Sequence, residues 1–186
     1  ILEGNSVDLS SLPIPIWTPG KDVAPYLTTI VISRDDNTGV QNAATYRTMV
    51  KNKQELVINL TPSRHGTLCY ESYVNNGKPA PFAWVIGAEP AAHFAAVCNI
   101  PYGTDELTVA GGLKGSPLEV VKARTSELLV PANAEMIIEG ELRPQETAEE
   151  GTFGEFAGYM GPIAQKPVVH VKAITHRRDP IYYGYI

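Results

Sequence analysis

A chain of 186 residues is long enough for one domain with its own hydrophobic core, and its length does not require a second domain. Hydrophobic residues make up 44% of the chain and charged residues 19%, a balance that is typical of globular proteins rather than disordered ones. The net charge of -5 offers no basic face for nucleic acid, and no run approaches the roughly 18 consecutive apolar residues of a membrane-spanning helix. We therefore expect neither a nucleic-acid nor a membrane partner.

The cysteines and the two ends of the chain indicate its setting. Cys69 and Cys98 lack the CxxC spacing of a metal site and are expected to be reduced, as in a cytoplasmic protein. No basic-then-apolar leader opens the chain, which agrees with a cytoplasmic location. Because the chain starts without methionine and ends in an apolar run at 181–186, we interpret residues 1–186 as a single domain of a longer protein.

Proline and glycine punctuate the chain evenly, which favours short strands over long helices. Gly77 suits a left-handed helix C-cap, Pro90 a first helical turn, and Thr104 an N-cap. In chain order, the predicted elements are strands at 26–33 and 55–60, a helix at 67–76, a strand at 82–86, helices at 90–98 and 104–110, and strands at 119–123, 135–142 and 168–174. This pattern predicts an α+β fold that is mainly β, a barrel or sandwich with a few interposed helices.

Two polar segments could bind a ligand. Residues 35–47 contain an Asn-Thr-Gly turn followed by small residues that permit close approach of a ligand, although an exposed turn and an edge strand are the simpler interpretation. Residues 63–66, Ser-Arg-His-Gly, precede a predicted helix, whose N-terminus favours an anion. An Arg-His pair in a loop is, however, more often solvated surface.

A third segment, residues 149–159, combines acids with aromatic rings. Glu150 and Glu155 are separated by two glycines and lie among Phe153, Phe156 and Tyr159. A solvated acidic loop rarely has aromatic residues at this density. Carboxyl groups held against apolar rings can act as proton donors near neutral pH, so this loop is a candidate for acid–base chemistry.

Together these segments resemble the UbiD family of decarboxylases that depend on prenylated FMN. Residues 42–47 match its Asn-x-x-x-Tyr-Arg signature, and residues 64–66 match its Arg-His-Gly element. Residues 101–106 with 110–111 match Pro-x-Gly-x-x-Glu followed by Ala-Gly, and residues 150–155 match the acidic loop, with Thr152 where the family usually has proline. The similarity extends in order over nearly the whole chain, and the fold that it implies is a split β-barrel.

The resemblance implies a set of cofactor and metal contacts. Asn42, His65 and Glu106 correspond to the ligands of a divalent metal, usually Mn²⁺, that ties the flavin phosphate to the protein, with K⁺ near the same acid. An amide oxygen, an imidazole and a carboxylate form a donor set suited to Mn²⁺. The residues implied in cofactor binding are Asn42, Ala43, Ala44, Thr45, Tyr46, Arg47, Arg64, His65 and Glu106.

The resemblance also implies a catalytic set of Arg47, Glu150 and Glu155. Arg47 would stay charged and grip a substrate carboxylate, and Glu150 would remain ionised and hold Arg47 in place. Glu155, expected in the more apolar position, would deliver the proton that replaces carbon dioxide. The implied reaction is a reversible, non-oxidative decarboxylation of aromatic, heteroaromatic or α,β-unsaturated carboxylic acids through a covalent adduct with prenylated FMN.

The implied partners are a flavin prenyltransferase, which supplies the cofactor, and further copies of the parent protein in a homo-oligomer. Two alternatives stay open from the residues alone. The chain could be a non-catalytic flavin-binding module. It could also be a split-barrel flavin reductase, although no GxGxxG dinucleotide fingerprint is present.

Overall fold

Two long antiparallel strands form the centre of the fold in the computed structural model, which describes residues 1–184. Tyr185 and Ile186, the end of the apolar C-terminal run, lie outside the described residues. Short 3₁₀ helices lie at Gly4–Ser6 and Leu9–Ser11. The strands and α-helices in chain order are β1 (Leu2–Glu3), β2 (Tyr26–Leu27), β3 (Ile30–Arg34), β4 (Gln41–Thr45), β5 (Thr48–Val50), β6 (Glu55–Ile58), α1 (His65–Asn75), β7 (Ala80–Ile86), α2 (Pro90–Ala95), α3 (Glu106–Lys114), β8 (Val120–Lys122), β9 (Leu129–Pro131), β10 (Met136–Glu150) and β11 (Ala164–His176).

The strand order explains why the sheet curls. The main sheet runs β2-β5-β6-β11-β10-β7-β3-β4, with β1 added to β11, while β8 and β9 form a separate ribbon. Strand β4 lies at one edge of the sheet and β5 lies next to the other edge, yet only Tyr46 and Arg47 connect them. In the same way, two residues connect β2, at an edge, to β3, next to the opposite edge. Such a link spans at most about 11 Å, so the opposite edges must adjoin. The sheet is therefore a curled half-barrel, and we call the line where its edges adjoin the seam.

Strand β10 bends on its way to the seam. Its register against β11 shifts between Glu139 and Gly140 and again between Leu142 and Thr147. Gln145, inside the second irregularity, has a φ of 65°, a left-handed conformation that is uncommon for a residue other than glycine. Unpaired residues of this kind turn a strand away from its original direction. Beyond the shift, β10 continues to Glu150 and pairs with β11 alone.

Strand β7 is buried on both faces because it lies between two hydrophobic cores. Phe82 and Trp84 belong to the core inside the curled sheet, whereas Ala83 and Val85 belong to the outer core that α2 and α3 complete. The alternation follows from the two-residue period of a strand. Within residues 1–184, no helix combines the length and the apolar character needed to cross a membrane.

The predicted fold class, mainly β with a few helices, is confirmed. The short strands β1, β5 and β9 were not predicted, and the other differences concern boundaries. The first helix begins two residues early, at His65, and ends before Gly77, whose φ of 67° is that of the expected cap. Asp105, rather than Thr104, caps α3, because its side chain accepts a hydrogen bond from Leu107 N at 2.8 Å. The predicted strand 26–33 is broken at 28–29, where the chain crosses between the sheet edges.

Candidate active site

A cleft of about 740 Å³ opens beside the seam. Its walls come from β4, the link at 46–47, the loop between β6 and α1, the turn after α2, the start of α3 and the loop after β10. Every residue expected to hold the cofactor lines this cleft, and Glu155 lines it too: Asn42, Ala43, Ala44, Thr45, Tyr46, Arg47, Arg64, His65, Glu106 and Glu155. Glu150 does not line the cleft and lies behind Arg47.

One end of the cleft, which we call the metal end, brings together the three predicted metal ligands. Asn42 lies within β4, His65 is the first residue of α1, and Glu106 is the first residue of α3. His65 Nδ1 lies 3.9 Å from Glu106 Oε1, and the other oxygen of Glu106 accepts a hydrogen bond from Ala43 N at 2.7 Å. Asn42 and Glu106 are both buried. Burial raises the pKa of the Glu106 carboxyl, and the Ala43 amide partly offsets this effect.

The metal end fits a divalent cation chemically. Asn42 Oδ1 is buried and has no hydrogen-bond partner within the described residues, which is costly for an amide oxygen unless a ligand engages it. Among residues 1–184, no three His, Cys, Asp or Glu side chains form a metal-binding group, so a three-donor site here depends on the amide of Asn42. Amide oxygen, imidazole nitrogen and carboxylate oxygen are together suited to Mn²⁺.

A second layer of side chains supports His65. The ring of Tyr102 packs edge-on against the imidazole of His65, with 5.2 Å between the ring centroids. The Tyr102 hydroxyl donates a hydrogen bond to Asp35, whose Oδ1 also accepts from Asn37 N at 2.7 Å and Thr38 N at 3.0 Å. Burial of Asp35 acts to raise its pKa, but the hydrogen bonds from Tyr102 and the two amides outweigh burial and lower it. Asp35 and Tyr102 thus brace His65 from outside the cleft.

The start of α1 provides an anion-binding feature next to this end. Arg64 is the N-cap residue of the helix but makes no side-chain capping hydrogen bond, and its exposed side chain lines the cleft. Gly66 N donates to the hydroxyl of Tyr46 at 2.9 Å, which joins the helix to the seam. The positive end of the helix dipole and a neighbouring arginine favour a phosphate at this position.

The other end of the cleft, which we call the acid end, contains the predicted catalytic set. Arg47 donates to Glu150 through two nitrogens, Nε to Oε1 at 2.8 Å and Nη2 to Oε2 at 3.2 Å. Its third nitrogen, Nη1, donates to Glu155 Oε1. The guanidinium carbon of Arg47 also lies 5.4 Å from the centre of the Phe153 ring. Burial alone would lower the pKa of Arg47, but the hydrogen bond and charge of Glu150, followed by those of Glu155, outweigh it and raise the pKa.

The two acids differ in burial, and here the expectation from the sequence is wrong. We expected Glu155 in the more apolar position, but its side chain is 42% exposed whereas that of Glu150 is 0% exposed. Of the three aromatic residues in this loop, only Phe153 packs inward, at 4.7 Å from the ring of Tyr26. Phe156 and Tyr159 are exposed. Residues 155–159 extend from the protein surface, so the aromatic residues do not enclose Glu155.

Several residues that line the cleft were not anticipated. They come from the β6–α1 loop and the turn after α2: Asn59, Thr61, Ala96, Val97, Cys98, Asn99 and Ile100. Asn59 Oδ1 is buried with no hydrogen-bond partner within the described residues. Asn59 belongs to no motif, so only the tertiary structure could identify it.

Comparison with known proteins places this cleft in context. A family model described as the UbiD 3-octaprenyl-4-hydroxybenzoate carboxy-lyase Rift-related domain matches residues 1–186. An evolved dimeric form of the UbiD-class enzyme HmfF from Pelotomaculum thermopropionicum, in complex with prFMN, is 40% identical with a TM-score of 0.91; the match covers 96% of this chain and 42% of HmfF. The 3,4-dihydroxybenzoic acid decarboxylase AroY from Klebsiella pneumoniae is 31% identical with a TM-score of 0.85, over 96% of this chain and 39% of AroY.

A third similar structure agrees with these two. The vanillic acid decarboxylase of Sedimentibacter hydroxybenzoicus, in its closed form, is 28% identical with a TM-score of 0.87, over 98% of this chain and 39% of that protein. This chain therefore spans less than half the length of each of the three enzymes. Because the family model matches residues 1–186 and HmfF is 40% identical over 96% of them, the chain belongs to the UbiD family.

Proposed function

We propose that this chain is the prenylated-FMN-binding domain of a reversible, non-oxidative decarboxylase. Its substrates would be aromatic, heteroaromatic or α,β-unsaturated carboxylic acids. The observation that carries this proposal is that one cleft has both a candidate metal set at one end and an arginine held between two acids at the other. HmfF bound to prFMN and the decarboxylase AroY support both the cofactor and the reaction type.

Asn42, His65 and Glu106 would hold Mn²⁺, with K⁺ close to Glu106. Through this site the three residues would hold the flavin phosphate, and Arg64 with the start of α1 would add positive charge there. When bound, prenylated FMN supplies the electron sink that decarboxylation requires. The small side chains of Ala43 and Ala44 would let the flavin approach the backbone of β4.

Arg47 would bind the substrate carboxylate. Its raised pKa keeps it charged, and the bidentate contact with buried Glu150 fixes the plane of the guanidinium. After its bonds to Glu150 and Glu155, one further N–H remains on each terminal nitrogen and is available to the substrate. Glu150, which does not line the cleft, would act only by holding Arg47.

Glu155 would exchange the proton. It lines the cleft and contacts Arg47, so it lies close to the position where the arginine would hold a carboxylate. Its partial exposure lets it take a proton from water, and its carboxyl group would then protonate the carbon that has lost carbon dioxide. The exposed position is the reason that we assign proton transfer to Glu155 and not to the fully buried Glu150.

The proposal can be tested on the full-length protein produced together with a flavin prenyltransferase and supplied with Mn²⁺ and K⁺. We expect the visible absorbance of a bound flavin, stoichiometric metal, and carbon dioxide release from at least one acid in a panel that includes 3,4-dihydroxybenzoic acid. Flavin binding without turnover would favour a non-catalytic module, and flavin-dependent NAD(P)H oxidation would favour a reductase. Native mass would report whether the protein is a homo-oligomer, as we propose.

His65→Ala tests the metal end within the same experiment. We expect the variant to lose metal and flavin together, because the imidazole is one of three ligands at a site that joins the phosphate to the protein. His176→Ala is the matched control, since His176 is exposed at the end of β11 and does not line the cleft. Unchanged flavin content in His65→Ala would contradict the proposed metal bridge.

A further inference from the structure

The loop that carries Glu155 is held by a segment outside the cleft, residues 18–23, which we call the strap. The strap is a tight turn, in which Lys21 N and Asp22 N both donate to Thr18 O at 3.0 Å. Asp22 is buried, and its two carboxylate oxygens accept hydrogen bonds from different segments. Oδ2 accepts from Thr18 N at 2.6 Å, within the strap, and Oδ1 accepts from Gly154 N at 3.1 Å, in the loop.

Further contacts join the strap to the same stretch of the loop. Thr152 Oγ1 donates to Lys21 O at 2.8 Å. A Cβ atom on Gly151 would overlap Val23, and a Cβ atom on Gly154 would overlap the hydroxyl of Thr18. The strap therefore packs directly against the loop backbone from Gly151 to Gly154, where any larger side chain would displace it.

The hydrogen bonds of Glu155 show why the strap is important. Its backbone bonds are local: Glu155 N donates to Tyr159 O at 2.8 Å, and Glu155 O accepts from Gly158 N at 2.9 Å. Gly161 N donates to Phe153 O at 2.7 Å and closes the 153–161 hairpin. These bonds fix the shape of the hairpin but not its position relative to Arg47. Phe153, which packs on Tyr26 and lies beside Arg47, also ties the loop to the sheet. The strap adds a hydrogen bond to the residue immediately before Glu155, so it contributes to that position.

We propose that Asp22 is a positioning residue for proton transfer, which acts through Gly154 to place Glu155 against Arg47. This inference rests on the proposed function and extends it to a residue outside the cleft. Asp22 does not line the cleft, and its hydrogen bonds are to Thr18 N and Gly154 N, so we do not place it in contact with substrate or cofactor. The bidentate contact between Arg47 and Glu150 involves no strap residue, so we expect it to remain when the strap is disrupted. Loss of Asp22 should therefore affect proton transfer and leave carboxylate binding unchanged.

The experiment uses Asp22→Ala in the full-length protein loaded with prenylated FMN. We expect kcat to fall by about 10²-fold, because displacement of a reacting group by about 1 Å has an effect of this size. KM and flavin content should stay at wild-type values. Amide hydrogen exchange should accelerate at 153–161 and stay unchanged in β10 and β11. Thr152→Val, which removes only the bond to Lys21 O, should lower kcat by about tenfold or less.

Two further variants complete the test. Asp8→Ala is the matched control, because Asp8 also accepts a backbone hydrogen bond in a short turn, from Ser10 N at 2.9 Å, but pairs with Lys53 and not with the loop that carries Glu155. Asp22→Asn keeps one acceptor and should recover part of kcat. Wild-type kcat in Asp22→Ala, or parallel loss of flavin and turnover in Asp22→Ala and Thr152→Val, would overturn the inference.

Failure of the Asp22 inference can be distinguished from failure of the proposed function. If the wild-type protein releases no carbon dioxide from any acid, the proposed function fails, and hydrogen exchange alone still tests the strap. Faster exchange at 153–161 in Asp22→Ala, with an unchanged core, would show that Asp22 holds the hairpin. Unchanged exchange there would overturn the positioning role whatever the reaction.

Discussion

The two ends of the cleft are built differently. At the metal end, Asn42, His65 and Glu106 all belong to regular elements, and two of them are the first residues of helices that pack on the sheet. At the acid end, Arg47 lies in a two-residue link and Glu155 in an exposed hairpin. Secondary structure therefore positions the metal end, whereas long-range hydrogen bonds position the acid end. Changes at the first should alter flavin and metal binding, and changes at the second should alter turnover.

The largest expected effect is a loss of turnover without a loss of cofactor binding. In the full-length holoenzyme, Glu155→Gln should lower turnover by about 10²–10⁴-fold, the range for loss of a general acid, because glutamine keeps the contact with Arg47 but has no proton to exchange. Flavin and metal content should not change. Glu149→Gln, which alters an exposed neighbouring acid, is the control. Normal turnover in Glu155→Gln would remove the role assigned to this residue.

A second change tests whether the acid end depends on buried charge. Glu150→Ala should lower the free energy of unfolding by about 3 kcal/mol, because it leaves the largely buried Arg47 without its bidentate partner. Urea denaturation measures the loss. In Glu127→Ala, where the pair with Lys122 is exposed, we expect no measurable change. Equal stability of the two variants would mean that the Arg47–Glu150 pair contributes little to folding.

A third change tests the brace behind the metal end. Tyr102→Phe removes the hydrogen bond to Asp35 but keeps the ring against His65. Mn²⁺ affinity, measured by calorimetry on the FMN-loaded protein, should fall by about tenfold, as expected for loss of a residue that orients a metal ligand. Tyr70→Phe, which removes a surface hydroxyl bond to Arg143 O, is the control. Wild-type affinity would show that Asp35 does not act through Tyr102.

The smallest expected effect concerns the cysteines and requires no substitution. Cys98 lines the cleft, so bound flavin should slow its reaction with a thiol reagent several-fold. Cys69 is buried, and burial raises the pKa of its thiol to about 11, so it should stay unmodified at pH 8 with or without flavin. Mass spectrometry after timed labelling distinguishes the two. Equal labelling of Cys98 in both forms would place the flavin elsewhere.

The ends of helices and strands were predictable only where local chemistry determines them. Gly77 and Pro90 mark helix ends as expected, because their backbone preferences are intrinsic. Strand β10 was expected to end at 142, since Pro144 and the polar residues after it are typical of a turn. It continues to Glu150 because β11 pairs with it beyond the bulge, a tertiary effect that the local sequence does not encode.

The candidate site, like the helix and strand ends, was predictable only in part. Residues 35–47, taken alone, suggested a turn and an edge strand, and β4 is an edge strand of the main sheet. The motifs identified some of the residues that line the cleft, including His65 and Glu106. They did not reveal the exposure of Glu155 or the contribution of Asn59, because neither depends on neighbours in the chain.

The amino-acid sequence by itself determined the family, the mainly β fold class and the residue types available for a metal and a carboxylate, because these depend on local spacing and composition. Only the tertiary structure decided how these residues meet. Arg47 and Glu150 are 103 positions apart, and Ala43 and Glu106 are 63 apart. Such contacts depend on how the sheet curls and on how the helices pack against it, which local spacing does not determine. The Glu155 hairpin lies at the surface, where the strap contacts it.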